Sequence, residues 1–207
     1  MDRYKIIILG PANSGKTTIL NQIKGDYNQI PDLYIPTIGV DLGCKSINIK
    51  DKEVKIQFWD TAGQERFDSI VSLFYKKANM AFIVFDISDI NTNFSIDSLI
   101  EKIYLQSGEI PIILIGNKKD KVGDYNSKSI SKYKIDIDEF DKITQYFEIS
   151  ALNSDDVNNM FNIILENEII RYIETENNTI YNQHQSILIE KPNRKKNIFK
   201  YCCPLFK

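Results

Sequence analysis

Three short runs along the chain, at residues 4–9, 80–86 and 110–116, are rich in β-branched residues and apolar on both faces. That pattern predicts strands buried on both sides, as in a parallel sheet. Stretches with helical spacing follow them, at residues 16–23, 94–106 and 137–146. Repeated strand-then-helix order predicts right-handed crossovers and an α/β fold, with helices on both faces of a mainly parallel sheet. One segment breaks the rhythm. Residues 42–49 and 53–59 alternate polar and apolar positions around Lys50, Asp51 and Lys52. Ile47, Ile49, Val54, Ile56 and Phe58 then share the inner face, which predicts a hairpin that adds one antiparallel edge strand. A last strand at 146–149 brings the expected sheet to six strands. It precedes a long amphipathic helix at 157–173. The apolar set there (Val157, Met160, Phe161, Ile164, Leu165, Ile169 and Ile173) fits a period of about 3.6 residues.

After Thr175 the pattern fails. Asn177, Asn178, Asn182, Gln183 and Gln185 dominate, followed by a basic run. The expectation is a folded domain over residues 1–174 and a disordered tail over 175–207. The length of 207 residues suits one domain with an appendage. Apolar residues make up 43% of the chain, enough for one core. Charges are nearly balanced at a net −2, so no strong overall field exists for nucleic acid, and no nucleic-acid partner is expected. The cysteines are Cys44, Cys202 and Cys203; an adjacent pair plus one is no disulfide framework, and a reducing compartment is expected. Met1-Asp2-Arg3-Tyr4 runs straight into a strand, so no signal peptide is expected, and Asp2 in place of glycine excludes N-myristoylation. No apolar run approaches the ~18 residues of a membrane-spanning helix. His184, the lone histidine, lies in the expected tail and suggests no metal or catalytic role.

The first strand leads into Gly10-Pro11-Ala12-Asn13-Ser14-Gly15-Lys16-Thr17, which is G-x-x-x-x-G-K-T between a strand and a helix. The glycines let the main chain wrap closely around phosphates. Successive N–H groups, Asn13 and Ser14 among them, then form an anion nest at a helix N-terminus. Lys16 supplies a point charge for the β- and γ-phosphates, and the Thr17 hydroxyl suits Mg²⁺. A chance Gly/Lys turn is the bland alternative, and the strand and helix on either side weigh against it. This loop alone serves ATP or GTP equally.

The choice of base falls to Asn117-Lys118-Lys119-Asp120, at the end of the third apolar strand. The Asp120 carboxylate can accept two hydrogen bonds from guanine, at N1–H and the exocyclic amine. Adenine offers an acceptor and no amine there, so its binding would leave the carboxylate unpaired. The aliphatic stem of Lys118 can cover one face of the base. Glu148-Ile149-Ser150-Ala151-Leu152 follows the last strand, and the Ala151 N–H is expected to meet guanine O6. A polar surface loop is the alternative reading of residues 117–120. Their place at a strand's carboxyl end, where open α/β sheets bind ligands, favours a site.

Two further segments suit the γ-phosphate. In Asp60-Thr61-Ala62-Gly63-Gln64-Glu65, Asp60 fits a Mg²⁺-linked carboxylate, the Gly63 N–H can approach the phosphate, and Gln64 can orient an attacking water. In Tyr34-Ile35-Pro36-Thr37-Ile38-Gly39, Thr37 offers a second hydroxyl to Mg²⁺ and a carbonyl to the water.

Together these residues resemble the Ras superfamily of small GTPases over roughly residues 4–174. Within it they resemble the Rab family, through Ile38-Gly39-Val40-Asp41-Leu42, Lys55-Ile56-Gln57-Phe58-Trp59, Arg66-Phe67-Asp68-Ser69-Ile70, Phe74-Tyr75-Lys76-Lys77-Ala78 and Ile83-Val84-Phe85-Asp86-Ile87-Ser88. The resemblance implies a P-loop GTPase (G) domain that binds GTP or GDP with Mg²⁺, and Lys16, Thr37 and Gln64 as its catalytic set. It adds Thr18, Tyr34, Ser150 and Leu152 to the nucleotide's surroundings, with Thr17, Thr37 and Asp60 on the metal. It implies switch regions near 30–42 and 62–78, ordered by GTP and released on hydrolysis. Their aromatic surface (Phe58, Trp59, Phe74, Tyr75) would meet effectors or pack on the sheet. Implied partners are an exchange factor, a GTPase-activating protein, a GDP-dissociation inhibitor or escort protein, and effectors of vesicle traffic. A monomer is expected, at the cytoplasmic face of an intracellular membrane and exchanging with cytosol.

The sequence also departs from the family pattern. Asn13 replaces a common glycine, and asparagine tolerates left-handed backbone. Ala12 lacks a hydroxyl near the attacking water, so altered turnover is expected. The spacing from Lys16 to Thr37 is longer than usual, which leaves the base-stacking residue as Tyr27 or, by strict count, Ile30. Residues 120–135 depart most and are expected to form a surface loop. No arginine lies between Thr17 and Trp59, so slow intrinsic hydrolysis is expected, with an activating protein supplying the missing group. Lys191, Arg194, Lys195, Lys196, Lys200 and Lys207 make the end of the chain basic beside Cys202 and Cys203. That ending resembles the paired-cysteine ends of Rab proteins, which implies a prenylated membrane anchor; a basic segment and two chains hold where one chain is marginal. Alternative readings are a hydrolysis-poor GTP-binding recruitment module, another member of the Ras superfamily, and an ATP-using P-loop enzyme.

Overall fold

A computed structural model describes residues 3–26, 36–37, 39–49, 52–61, 74–89, 95–122, 142–173 and 175. The strands are β1 (Arg3–Leu9), β2 (Val40–Ile49), β3 (Lys52–Thr61), β4 (Met80–Asp86), β5 (Ile112–Asn117) and β6 (Gln145–Glu148). They form one sheet in the order β2-β3-β1-β4-β5-β6. β2 runs antiparallel to β3 at one edge, and every other pairing is parallel. Burial explains the order. β4 and β5 are buried along nearly their whole length, as are Ile6 to Leu9 of β1, so these strands occupy the middle. β2 alternates buried or half-buried with exposed positions, and β6 is half-buried throughout; both lie at edges. In the hairpin, Ile49, Val54, Ile56 and Phe58 are buried, while Ile47 is half-buried.

Three helices are described: α1 (Lys16–Lys24), α2 (Ile96–Ser107) and α3 (Ser154–Ile164), the last continuing through a π-helical turn, Leu165–Ile169. α1 ends where Gly25 turns left-handed and its N–H satisfies the carbonyls of Asn21 and Gln22. α2 begins after Ser95, whose hydroxyl accepts the Ser98 N–H, with Asp97 complementing the helix dipole. α3 begins after Asn153, which caps the Asp155 N–H. On one face of the sheet, Ile100 and Ile103 of α2 pack with Ile7, Leu9, Ala81, Ile83, Phe85 and Leu114. On the other, Phe161 of α3 lies against Phe58, with ring centroids 6.1 Å apart. α1 crosses so close to β2 that a Cβ on Gly43 would stand 2.8 Å from Leu20 Cδ1.

One expected element differs. The helical spacing at 137–146 does not become helix where it is described. Gln145 and Tyr146 start β6, paired with Ile113 and Leu114, and the Thr144 N–H already bonds the Ile112 carbonyl at 2.9 Å. The free edge of β5 offers main-chain partners and cover for Tyr146, and this tertiary pairing overrides a short helical pattern. α2 starts later than the spacing suggests and α3 earlier, because their caps, Ser95 and Asn153, set the boundaries.

The chain divides into two compact units, Met1–Ile170 and Arg171–Lys207. In the second, the Thr175 hydroxyl donates to the Arg171 carbonyl at 2.8 Å. The expected tail beyond residue 175, with Cys202 and Cys203, lies outside the described residues, as does the expected surface loop from residue 123 onward. Among the described residues no helix is long and apolar enough to cross a membrane.

Candidate functional site

β1 delivers the chain to a loop at the carboxyl edge of the sheet, and the loop is pressed against its neighbours. Gly10 has φ 136°, and a Cβ there would stand 1.9 Å from the Val84 carbonyl oxygen on β4. Gly15 has φ 97°, and its added Cβ would stand 2.1 Å from Asn117 Nδ2. Asn13 adopts φ 60°, the left-handed backbone this residue type tolerates. Such turns swing main-chain N–H groups toward one side and make a concavity for an anion. α1 starts here without a side-chain cap, so its first amides remain available to a ligand, Thr17 and Thr18 lying in its first turn. The Ser14 hydroxyl is buried with no hydrogen-bond partner among the described residues.

Lys16 opens α1 and is only 5% exposed. Its ammonium donates to the carbonyls of Gly10 (3.0 Å) and Pro11 (2.7 Å), leaving one of its three protons for a ligand. Burial pushes this ammonium down to about 8, opposed by the nearby Asp60 charge.

Thr17, Thr37 and Asp60 come from three separate segments and meet beside it. The Thr17 and Thr37 hydroxyl oxygens lie 2.9 Å apart, and the Thr17 hydroxyl donates to Asp60 Oδ2. Asp60, at the end of β3, is fully buried. Burial pushes its carboxyl up to about 6, against the Thr17 hydrogen bond and the Lys16 charge. Its Oδ1 has no hydrogen-bond partner among the described residues. Two hydroxyls and a carboxylate with an orphaned oxygen are a hard oxygen donor set, and they fit Mg²⁺. No cluster of three or more His, Cys, Asp or Glu that could hold a metal occurs among the described residues. An ion held by Thr17, Thr37 and Asp60 would complete its shell with water or a ligand's phosphate oxygens, as Mg²⁺ commonly does.

Asn117, the last residue of β5, joins this loop to the rest of the site. It is 1% exposed. Its Nδ2 donates to the Ser14 carbonyl at 2.8 Å, and its Oδ1 accepts the Ala151 N–H at 2.8 Å. The N–H expected to meet a base oxygen is thus already engaged, and guanine O6 would have to share it. Lys118 follows in left-handed backbone, φ 66°, with its ammonium 2.8 Å from Asp86 Oδ2. Lys119–Lys121 makes a single 3₁₀ turn, which presents Asp120. The Ser150 hydroxyl donates to Asp120 Oδ1 at 2.5 Å, while the Ser150 N–H donates to Asp156 at 3.0 Å. A cleft of about 480 Å³ opens there, lined by Lys119, Asp120, Ser150, Leu152, Asn153 and Asp156.

The structure thus gathers Gly10, Asn13, Ser14, Gly15, Lys16, Thr17 and Thr18 in one loop and the helix turn it feeds. Thr37 and Asp60 lie beside them, and Asn117 reaches across to Lys118, Asp120, Ser150, Ala151 and Leu152. A sequence model of the Ras family matches residues 5–170. This chain belongs to the Ras family. Ras-family membership carries guanine-nucleotide binding with Mg²⁺ and GTP hydrolysis. Three relatives bear Rab- or Ypt-type names. GTP-binding protein yptV5 of Volvox carteri is 36% identical over 177 residues, covering 83% of this chain and 85% of its own. GTP-binding protein YPTC5 of Chlamydomonas reinhardtii is 35% identical over 178 residues, with the same shares. Ras-related protein RabC of Dictyostelium discoideum is 34% identical over 172 residues, covering 79% of this chain and 82% of its own. Within the Ras family the chain is therefore Rab-like.

Tyr27, Ile30, Tyr34, Gly63 and Gln64 lie outside the described residues. Reading the sequence missed Asp86 and Asp156, which hold Lys118 and Ser150 from behind. Asp86 stood in one of the Rab-like stretches, which was the available signal; its register with Asn117 is set by strand pairing that the sequence does not display.

Proposed function

We propose that this Rab-like GTPase grips its nucleotide through one continuous site and works as a membrane-tethered switch in vesicle traffic. In this reading the loop from Gly10 to Thr17 wraps the phosphates in main-chain N–H groups. Lys16 turns its remaining ammonium proton to the β- and γ-phosphate oxygens. Thr17, Thr37 and Asp60 hold Mg²⁺, which when bound neutralises phosphate charge and tightens the grip on the triphosphate. Asp120, held by Ser150, reads the guanine edge, and the Lys118 stem covers its face. Gln64 orients the attacking water, with the Thr37 carbonyl as its second contact. The observation that carries the reading is the pair of bonds from Asn117, which tie the phosphate loop at Ser14 to the base loop at Ala151. Phosphate and base recognition then belong to one ligand that spans both loops.

Residues 1–174 form the G domain, and the tail carries lipid on Cys202 and Cys203, whose basic flank favours anionic membrane. An exchange factor, an activating protein, a GDP-dissociation inhibitor and effectors act on it as on other Rab-like switches. With no arginine between Thr17 and Trp59, hydrolysis by the protein alone is slow, and an activator's arginine adds about 10³–10⁵ in rate.

Displacement of fluorescent GDP from purified full-length protein tests the core of this reading. Unlabelled GTP and GDP should displace the probe, ATP should not, and EDTA should speed its release. Displacement by ATP as well as by GTP, or release indifferent to EDTA, would overturn it.

A further inference from the structure

Asp86 lies at the last position of β4, opposite Asn117 in the parallel register with β5. The Ile87 N–H closes the gap between the two strand ends by bonding the Asn117 carbonyl at 3.0 Å. Both oxygens of the Asp86 carboxylate are engaged. Oδ1 accepts the Ser88 N–H at 2.9 Å and the Ser88 hydroxyl at 2.6 Å. Oδ2 meets the Lys118 ammonium at 2.8 Å. The side chains of the pair are only 14% (Lys118) and 18% (Asp86) exposed. An ion pair between two free surface side chains gains little, because both must be ordered to form it. Here one partner is already fixed by Ser88, and the other leaves a left-handed main-chain position between a strand end and a 3₁₀ turn. The long lysine stem is thus strung between two anchored ends, its own Cα and the Asp86 carboxylate, and its rotamer freedom is restricted before any ligand arrives.

We propose that Asp86, fastened by Ser88, is a positioning residue that holds the Lys118 side chain as a preformed wall over the guanine face. The inference rests on the reading of Lys118 as that wall. Asp86 touches no part of the nucleotide in this scheme and acts only through Lys118. Its contribution is preorganisation: the nucleotide meets a stem already in place. The same wall stands over GTP and GDP, so the effect belongs to residence time in both states.

Release of ribose-labelled GDP from the full chain in Mg²⁺ tests it with Asp86→Asn, Lys118→Met, Lys118→Ala and the double variant Asp86→Asn with Lys118→Met. Methionine keeps an unbranched apolar stem and removes the ammonium. Asp86→Asn should speed release about tenfold, equivalent to ~1.4 kcal/mol. In the Lys118→Met background it should add nothing, because the group through which it acts is gone. Its preference for GDP over inosine diphosphate should stay at the parent value, since Asp120 and not Lys118 reads the exocyclic amine; a general distortion of residues 117–120 would change that ratio. Release by Asp86→Asn within about twofold of the parent, a full additive effect beside Lys118→Met, or a changed GDP-to-inosine ratio would each overturn the proposal. Lys118→Ala separates the two layers. If it leaves release unchanged, the base-wall reading of Lys118 fails and this inference with it. If it speeds release while Asp86→Asn does not, only the role of Asp86 fails. Should Asp86→Asn not fold, Ser88→Ala carries the same test: faster release that disappears beside Lys118→Met supports the proposal, and unchanged release overturns it.

Discussion

Replacing Asn117 by alanine removes a side chain that bonds both loops of the site. The residue is 1% exposed, and its partners are also enclosed, Ser14 at 1% and Ala151 at 4%. Both bonds are 2.8 Å long. The variant therefore strands a buried carbonyl at Ser14 and a buried N–H at Ala151. An orphaned buried group costs about 1–3 kcal/mol, so the pair costs roughly 2–4 kcal/mol once the loops relax toward water. At ~1.4 kcal/mol per decade, GDP affinity should fall about 30-fold to several hundred-fold, most of it as faster release. Asn117→Asp should do no better, because it turns an acceptor toward the Ser14 carbonyl in place of a donor. The assay is stopped-flow release of ribose-labelled GDP in Mg²⁺, with equilibrium titration for affinity. If Asn117→Ala holds GDP within about threefold of the parent, the two bonds are not what unites the site, and the magnitude argued from buried unmade bonds is wrong.

Gly15→Ala should act on the same joint from the other side, since its Cβ would stand 2.1 Å from Asn117 Nδ2 at a backbone φ of 97°; calorimetry should show a lower melting temperature together with faster GDP release, and normal release would contradict the packing described. A pH dependence follows from Asp86. Its partial burial raises the pKa, but bonds from Lys118 and Ser88 outweigh this and hold the carboxyl below its ordinary value of 3.8. A depressed folded-state pKa gives stability that is present above the unfolded value and lost as pH falls through the folded one. The gap in melting temperature between the parent and Asp86→Asn should therefore be constant near neutrality and shrink in acid below that ordinary value; a gap that persists undiminished there would remove the ion pair as its cause.

Much of this architecture was legible because burial on both faces leaves a plain mark. Ile6 to Ile8, Phe82 to Val84 and Ile112 to Ile115 read as buried strands and are buried strands. The turn from Gly10 to Lys16 was legible in its backbone, because consecutive residues place glycines where the main chain turns left-handed or approaches a neighbour. Asn13 was expected to tolerate that backbone, and it has φ 60°. What escaped is non-local. The strand at Gln145 exists because β5 has an open edge, a fact that no window of neighbouring residues contains. Asp86 and Asp156 act on Lys118 and Ser150 from other elements. The left-handed Lys118 carries no composition signal, since lysine does not favour that region. The shared Ala151 N–H was likewise hidden, because its partner Asn117 lies 34 residues away.

In the proposed phosphate site most of the chemistry falls to the main chain, and that has a consequence for how such a protein can diversify. Ala12 and Asn13 are exposed, and an amide presents the same proton whichever side chain it carries. Mutational drift at the rim is therefore cheap for affinity so long as the twist at position 13 survives.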